Sequence, residues 1–148
     1  MRKLLNYFAI PFQFCWELPQ ILLGFLVFAS MKISRKIVKT EKEKHRFFIE
    51  TLKTGVSLGW IVFWTPEGNR FKSIVNDCRK HEYGHARQSQ MLGPLYLIIV
   101  GIPSLARVFY GYLYRKTTGK SWGNYFKGFP ENWADKLGGL PIHGSKKP

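Results

Sequence analysis

Acidic side chains and cysteine are both scarce in this chain: nine Asp and Glu stand against 23 Lys and Arg, and only two Cys occur in 148 residues. Cys15 and Cys78 cannot form a disulfide framework and match no Cys-x-x-Cys metal pattern, which excludes a disulfide-stapled module and a cysteine-built zinc ribbon. They read as two small buried hydrophobes, with Cys78 on the same helical side as His81 three residues later. Internal repeats and low-complexity tracts are also missing, so no repeat architecture is expected.

The shortage of acid leaves a formal charge of +14, combined with 45% hydrophobic and 16% aromatic residues. A disordered basic tail would lack the apolar content, and an ordinary soluble domain would lack the charge. Basic and greasy together point to membrane lipid as a partner. Nucleic acid is not expected, because the Lys and Arg are spread along the chain and no nucleic-acid module signature is present. The length suits one core, hence a single domain over 1–148.

An apolar N-terminal helix is expected over 4–33, built from Leu4 to Phe14 and from LPQILLGFLVFASMKI. Arg2, Lys3 and Val27-Phe28-Ala29 would suit a cleaved signal, but Glu17 and Pro19 interrupt the hydrophobic core that a signal needs, so retention as a membrane helix is favoured. Lys32, Arg35, Lys36, Lys39, Lys42 and Lys44 follow directly. This belt suits anionic headgroups or a solvated connector.

From Arg46 to Ile74, β-branched and aromatic runs alternate with Gly, Pro and Asn, the pattern of a small antiparallel meander. GVSLGWIVFW within it reads as a core strand rather than an edge for an added peptide, since Trp60 to Trp64 leave little polar alternation. Ser73 or Asn76 could cap a helix that runs to Leu92 and stops at Gly93-Pro94, so 46–92 holds meander and helix. A second apolar segment covers 92–114, broken by Pro94, Pro103 and Arg107. It suits a kinked or re-entrant membrane helix more than a buried core helix, because it has no polar stripe. Pro130 and ENWADKLGG predict a short helix over 130–139 with proline at its start and glycines at its end. The fold class expected is α+β, a small antiparallel meander with an active-site helix plus apolar membrane-associated helices.

The chemistry lies in His81-Glu82-Tyr83-Gly84-His85. Residues four apart share one face of a helix, so His81 and His85 can aim two imidazoles at one tetrahedral zinc ion. Glu82, beside the first ligand, can act as general base on an activated water. A catalytic zinc site usually takes a third protein ligand. Glu131, Asp135 and His143 are the downstream candidates, with Glu131 and Asp135 on one face of the short helix, where one can bind metal while the other supports a histidine.

HEYGH followed by Glu131-Asn132-Trp133-Ala134-Asp135 resembles the gluzincin class of zinc metallopeptidases. KHEYGHARQSQMLGPLYLIIVGIPS with ENWADKLGG is also similar to a group of small bacterial membrane-associated proteins. The resemblance covers about residues 80 to 139. It implies zinc held by His81, His85 and Glu131, Glu82 as base, Asp135 as support, a peptide or protein substrate, and a bacterial cytoplasmic membrane location. The chain is much smaller than most gluzincins. For the electrophile that would stabilise an oxyanion, Tyr125, Tyr112, Arg107 and His143 are all of suitable type, and His143, in a Gly- and Lys-rich tail, reads as solvent-exposed. A structural zinc site in a non-catalytic membrane or interaction protein, and hydrolysis of a non-peptide amide, are the alternatives.

Overall fold

In the computed structural model, residues 10–52, 55–66 and 78–141 are described. The remainder of the TPEGN turn, RFKSI, the cap candidates Ser73 and Asn76, and His143 lie outside them.

The architecture is mixed α and β. Helices α1 (Ile10–Trp16) and α2 (Leu18–Ile33) lead into strands β1 (Ile37–Glu43), β2 (Arg46–Thr51), β3 (Val56–Leu58) and β4 (Ile61–Trp64). Then come α3 (Cys78–Leu92), a short irregular helical passage, α4 (Ile102–Thr118) and α5 (Glu131–Gly138).

The N-terminal apolar stretch is not one helix: α1 and α2 meet at Glu17 with a 77° bend. Pro19, in the first turn of α2, has no N–H to continue the α1 ladder. Glu17 is buried, accepting from Ser89 Oγ at 2.6 Å and from Gln13 Nε2 at 3.0 Å. Gln20 adds bonds to Ser89 Oγ at 3.0 Å and to the Gly93 carbonyl at 2.8 Å. Ser89 near the C-terminal end of α3 and Gly93 just beyond it thus give partners to Glu17 and to the amide nitrogen of Gln20, while Gln20 Oε1 is left without one among the described residues.

The sheet departs from a simple meander. Its order is β1-β2-β4-β3, with β2 and β4 parallel and the two outer pairs antiparallel. GVSLGWIVFW is two strands, turned at Gly59, whose φ of 64° is the left-handed conformation that favours glycine. The apolar run Ile61-Val62-Phe63 goes to the interior of the sheet, where both its faces are covered, and three-residue β3 takes the edge. The other edge is β1, which takes in Lys39 and Lys42 of the belt read as suiting anionic headgroups or a solvated connector. Its Glu41 and Glu43 pair with Arg79 at the start of α3.

Strand alternation divides the core into two sides. Ile49, Leu58, Ile61 and Phe63 pack with Val27, Phe28 and Met31 of α2. On the opposite face Phe48 and Val62 meet Ala86 of α3. The sheet therefore lies between α2 and α3, and α5 packs against α3.

The second apolar segment extends further than expected: the stretch Leu97–Thr118 is 22 residues, ended at Gly119 in the left-handed conformation. It is the one helix among the described residues long and apolar enough by itself to cross a membrane, and almost none of it is buried.

Candidate metal centre

Because Ala86 turns one side of α3 onto the sheet, the stripe of residues 81, 84, 85 and 88 faces α5. A Cβ on Gly84 would overlap the carbonyl oxygen of Ala134, and a Cβ on Gly138 would overlap that of Lys80. The two helices thus cross more closely than side chains at those points would permit. Glycine inside a helix costs about 1 kcal/mol relative to alanine. That local penalty is the signal in HEYGH that could have pointed to a close helix crossing.

The crossing brings Glu131 to the two histidines. One ligand atom from each of His81, His85 and Glu131 lies within 4.8 Å of the others, and all three residues are buried. Glu131 Oε2 is 3.0 Å from His81 Nε2 and 3.3 Å from His85 Nε2. The far ring nitrogens are also held. His81 Nδ1 is 2.7 Å from Asp135 Oδ1, and His85 Nδ1 is 2.7 Å from Gln88 Oε1. Gln88, missed in the sequence, also donates from Nε2 to the Pro130 carbonyl at 3.0 Å. It lies three residues beyond His85, within side-chain reach on a helix, which is the signal that could have found it.

The three residues could hold a metal ion. Two imidazoles and a carboxylate are a fitting donor set. Buried lone pairs also remain spare around them: Glu131 Oε1, Asp135 Oδ2 and Glu82 Oε2 have no hydrogen-bond partner.

Electrostatics tie the cluster together. Burial alone would lower the His81 pKa, but hydrogen bonds with Asp135 and Glu131 outweigh it and push it up to about 10. Burial would raise Glu131, yet hydrogen bonds and charge from His81 and His85 hold it well below the usual carboxylate range. Glu82 moves the other way. Its burial, with the nearby charge of Glu131, raises it against the pull of His81 and His85. A Cβ on Gly55 would stand 2.5 Å from Glu82 Oε1, so the missing side chain at the start of β3 leaves room for this carboxylate.

Of the electrophile candidates among the described residues, Tyr125 is the one that feels the charge of the cluster. Burial and the charges of Glu131 and Glu82 raise its phenol well above the ordinary value, while a bond with Ser104 opposes this. Its neighbour Phe126 packs edge-on against the His81 ring at 5.3 Å. Arg107 is engaged elsewhere, donating to the carbonyls of Tyr125 and Asn124 and stacking on Trp122. Tyr112 is exposed on α4.

The cysteines are not both buried. Cys15 is exposed and Cys78 half-buried, the latter raised to about 11 by burial and by Glu82. A thiol above its ordinary range is a poor thiolate ligand. No protein-family model, curated protein or solved structure matches this chain.

Proposed function

We propose that this protein is a membrane-associated, gluzincin-like zinc metallopeptidase. The observation that carries the reading is the convergence of His81, His85 and Glu131 beside the buried carboxylate of Glu82. Bound there, zinc supplies Lewis acidity that polarises a carbonyl and makes a water more acidic. Glu82 takes the proton of the attacking water and hands it on to the leaving amine. Asp135 accepts from His81 Nδ1 and so keeps the opposite nitrogen directed at the ion. Tyr125, which feels the charges of Glu131 and Glu82, is the candidate electrophile for the developing negative charge.

The apolar surface supports the membrane part. Leu97–Thr118 is about 33 Å long at 1.5 Å per residue, against a hydrocarbon core of about 30 Å. Leu22, Phe25, Leu26, Ile98, Ile102 and Leu105 are all exposed on α2 and the second apolar segment, the kind of apolar surface that a membrane would cover.

The test is zinc stoichiometry together with hydrolysis of a broad peptide and amide panel by wild type and Glu82→Gln. About one zinc per chain and turnover that disappears with Glu82 support the reading. Turnover of non-peptide amides alone would transfer it to another bond. One zinc and no Glu82-dependent turnover would make the site structural.

A further inference from the structure

Gln88 is fully buried, and its amide has no freedom of orientation. The Pro130 carbonyl can only accept a hydrogen bond, so the amide end 3.0 Å away is the nitrogen. The end 2.7 Å from His85 Nδ1 is then the oxygen, which also can only accept. His85 must therefore carry a proton on Nδ1. In the neutral ring the lone pair sits on Nε2, the atom 3.3 Å from Glu131 Oε2 and part of the ligand cluster. A backbone carbonyl just before α5 thus dictates, through one amide, which nitrogen of His85 is offered to a cation.

We propose that Gln88 is a positioning residue for the metal centre, fixing the tautomer and ring direction of His85. This rests on the metal reading above. Gln88 matches what Asp135 does for His81, with one difference: Asp135 is an anion and Gln88 is neutral. The amide also ties α3 to Pro130, immediately before Glu131, so a purely structural role is the competing account. The two roles use opposite ends of the same side chain.

They separate in two variants. Gln88→Glu keeps an oxygen that accepts from Nδ1–H and loses the donor to Pro130; Gln88→Leu loses both. Zinc affinity, measured by chelator competition on the full chain in detergent micelles, is expected to fall about 10- to 100-fold in Gln88→Leu. In Gln88→Glu it should fall by much less than in Gln88→Leu, because the acceptor survives. Equal loss in both variants overturns the proposal in favour of the helix tie. A second measurement needs no variant to fold: in zinc-loaded wild type, long-range proton–nitrogen correlation should show His85 protonated at Nδ1 and metal-bound at Nε2. Zinc on Nδ1 overturns the proposal. If wild type binds no zinc, the metal reading falls and this inference with it, whereas zinc bound with both variants weakened alike removes only the role of Gln88.

Discussion

His81 Nδ1 and Asp135 Oδ1 lie 2.7 Å apart across 54 positions of sequence, both buried. The imidazole N–H donates and the carboxylate accepts, so the far nitrogen faces Glu131 and His85. Asp135 and Glu82 therefore act on the same centre in different ways, and their loss should read differently. Glu82→Gln should keep zinc while turnover falls about 100-fold or more, as for loss of a general base. Asp135→Ala should weaken zinc affinity or activity about 10- to 100-fold. Zinc content and hydrolysis measured together check this, and Glu82→Gln turning over at the wild-type rate would remove the catalytic role.

Zinc binding should release protons. In the metal-free protein His81 is raised from 6.5 to about 10, so between pH 7 and 9 a zinc ion displaces the proton on its Nε2. Affinity should rise about tenfold per pH unit in that range, with about one proton released per ion. Calorimetry in buffers of different ionisation enthalpy measures it. A binding constant flat from pH 7 to 9 would contradict the charged pair.

Stability of the metal-free protein should show the matching sign. The raised His81 contributes stability that is complete below pH 6.5 and lost as pH climbs toward 10. The depressed Glu131 contributes stability present above pH 4.5 and lost on acidification below it. Thermal unfolding with a chelator present should therefore peak between pH 4.5 and 6.5, and zinc should shift the maximum upward. A metal-free maximum at pH 9 would refute it.

Gly84→Ala sets two effects of known size against each other. Alanine gains about 1 kcal/mol of helix propensity, but its Cβ overlaps the Ala134 carbonyl, and overpacking costs about 1–3 kcal/mol. Backbone cannot rotate aside as a side chain can, so the clash should win. Lower thermal stability and weaker zinc binding are expected, because α5 carries Glu131. A more stable variant with unchanged zinc affinity would show that the close crossing is dispensable.

Ser89→Ala tests the link between the apolar helices and α3. It takes a donor from buried Glu17 at 2.6 Å, which should destabilise by about 1–3 kcal/mol, the usual penalty for a buried group left unpaired. Denaturation in detergent measures it, and a loss under about 0.5 kcal/mol would mean that Glu17 finds another partner.

Membrane fractionation is the remaining test. The exposed apolar surface of α2 and of Leu97–Thr118 should keep the protein in the pellet through carbonate and high-salt washes. Quantitative recovery as a monodisperse species without detergent would remove the membrane assignment.

The residues of the candidate centre were legible because their spacing is local. His81 with His85, and Glu131 with Asp135, are each four apart in one helix, and the i, i+4 rule places each pair on a face without knowledge of the rest. Likewise Pro130 and the glycines after Leu137 bounded α5 by backbone chemistry alone. Contacts between distant segments carried no such local mark. Gln88 reads as an unremarkable polar helix residue until the Pro130 carbonyl stands 3.0 Å from its amide.

The sheet shows the same division. Apolar alternation announced strands, but a period of two does not say which strand pairs with which. Tertiary structure put Ile61-Val62-Phe63 inside and β3 at the edge, because only an interior strand buries apolar side chains on both faces. It also drew Lys39 and Lys42 of the basic belt into β1, held by Glu41 and Glu43 against Arg79, and divided the N-terminal helix at Glu17, whose buried carboxylate needs the hydroxyl of Ser89. The sequence by itself determined which side chains could bind a metal. Only the crossing of α3 and α5, made close enough by Gly84 and Gly138, decided that Glu131 reaches the histidines, since a ligand set drawn from two helices exists only at the distance their packing sets.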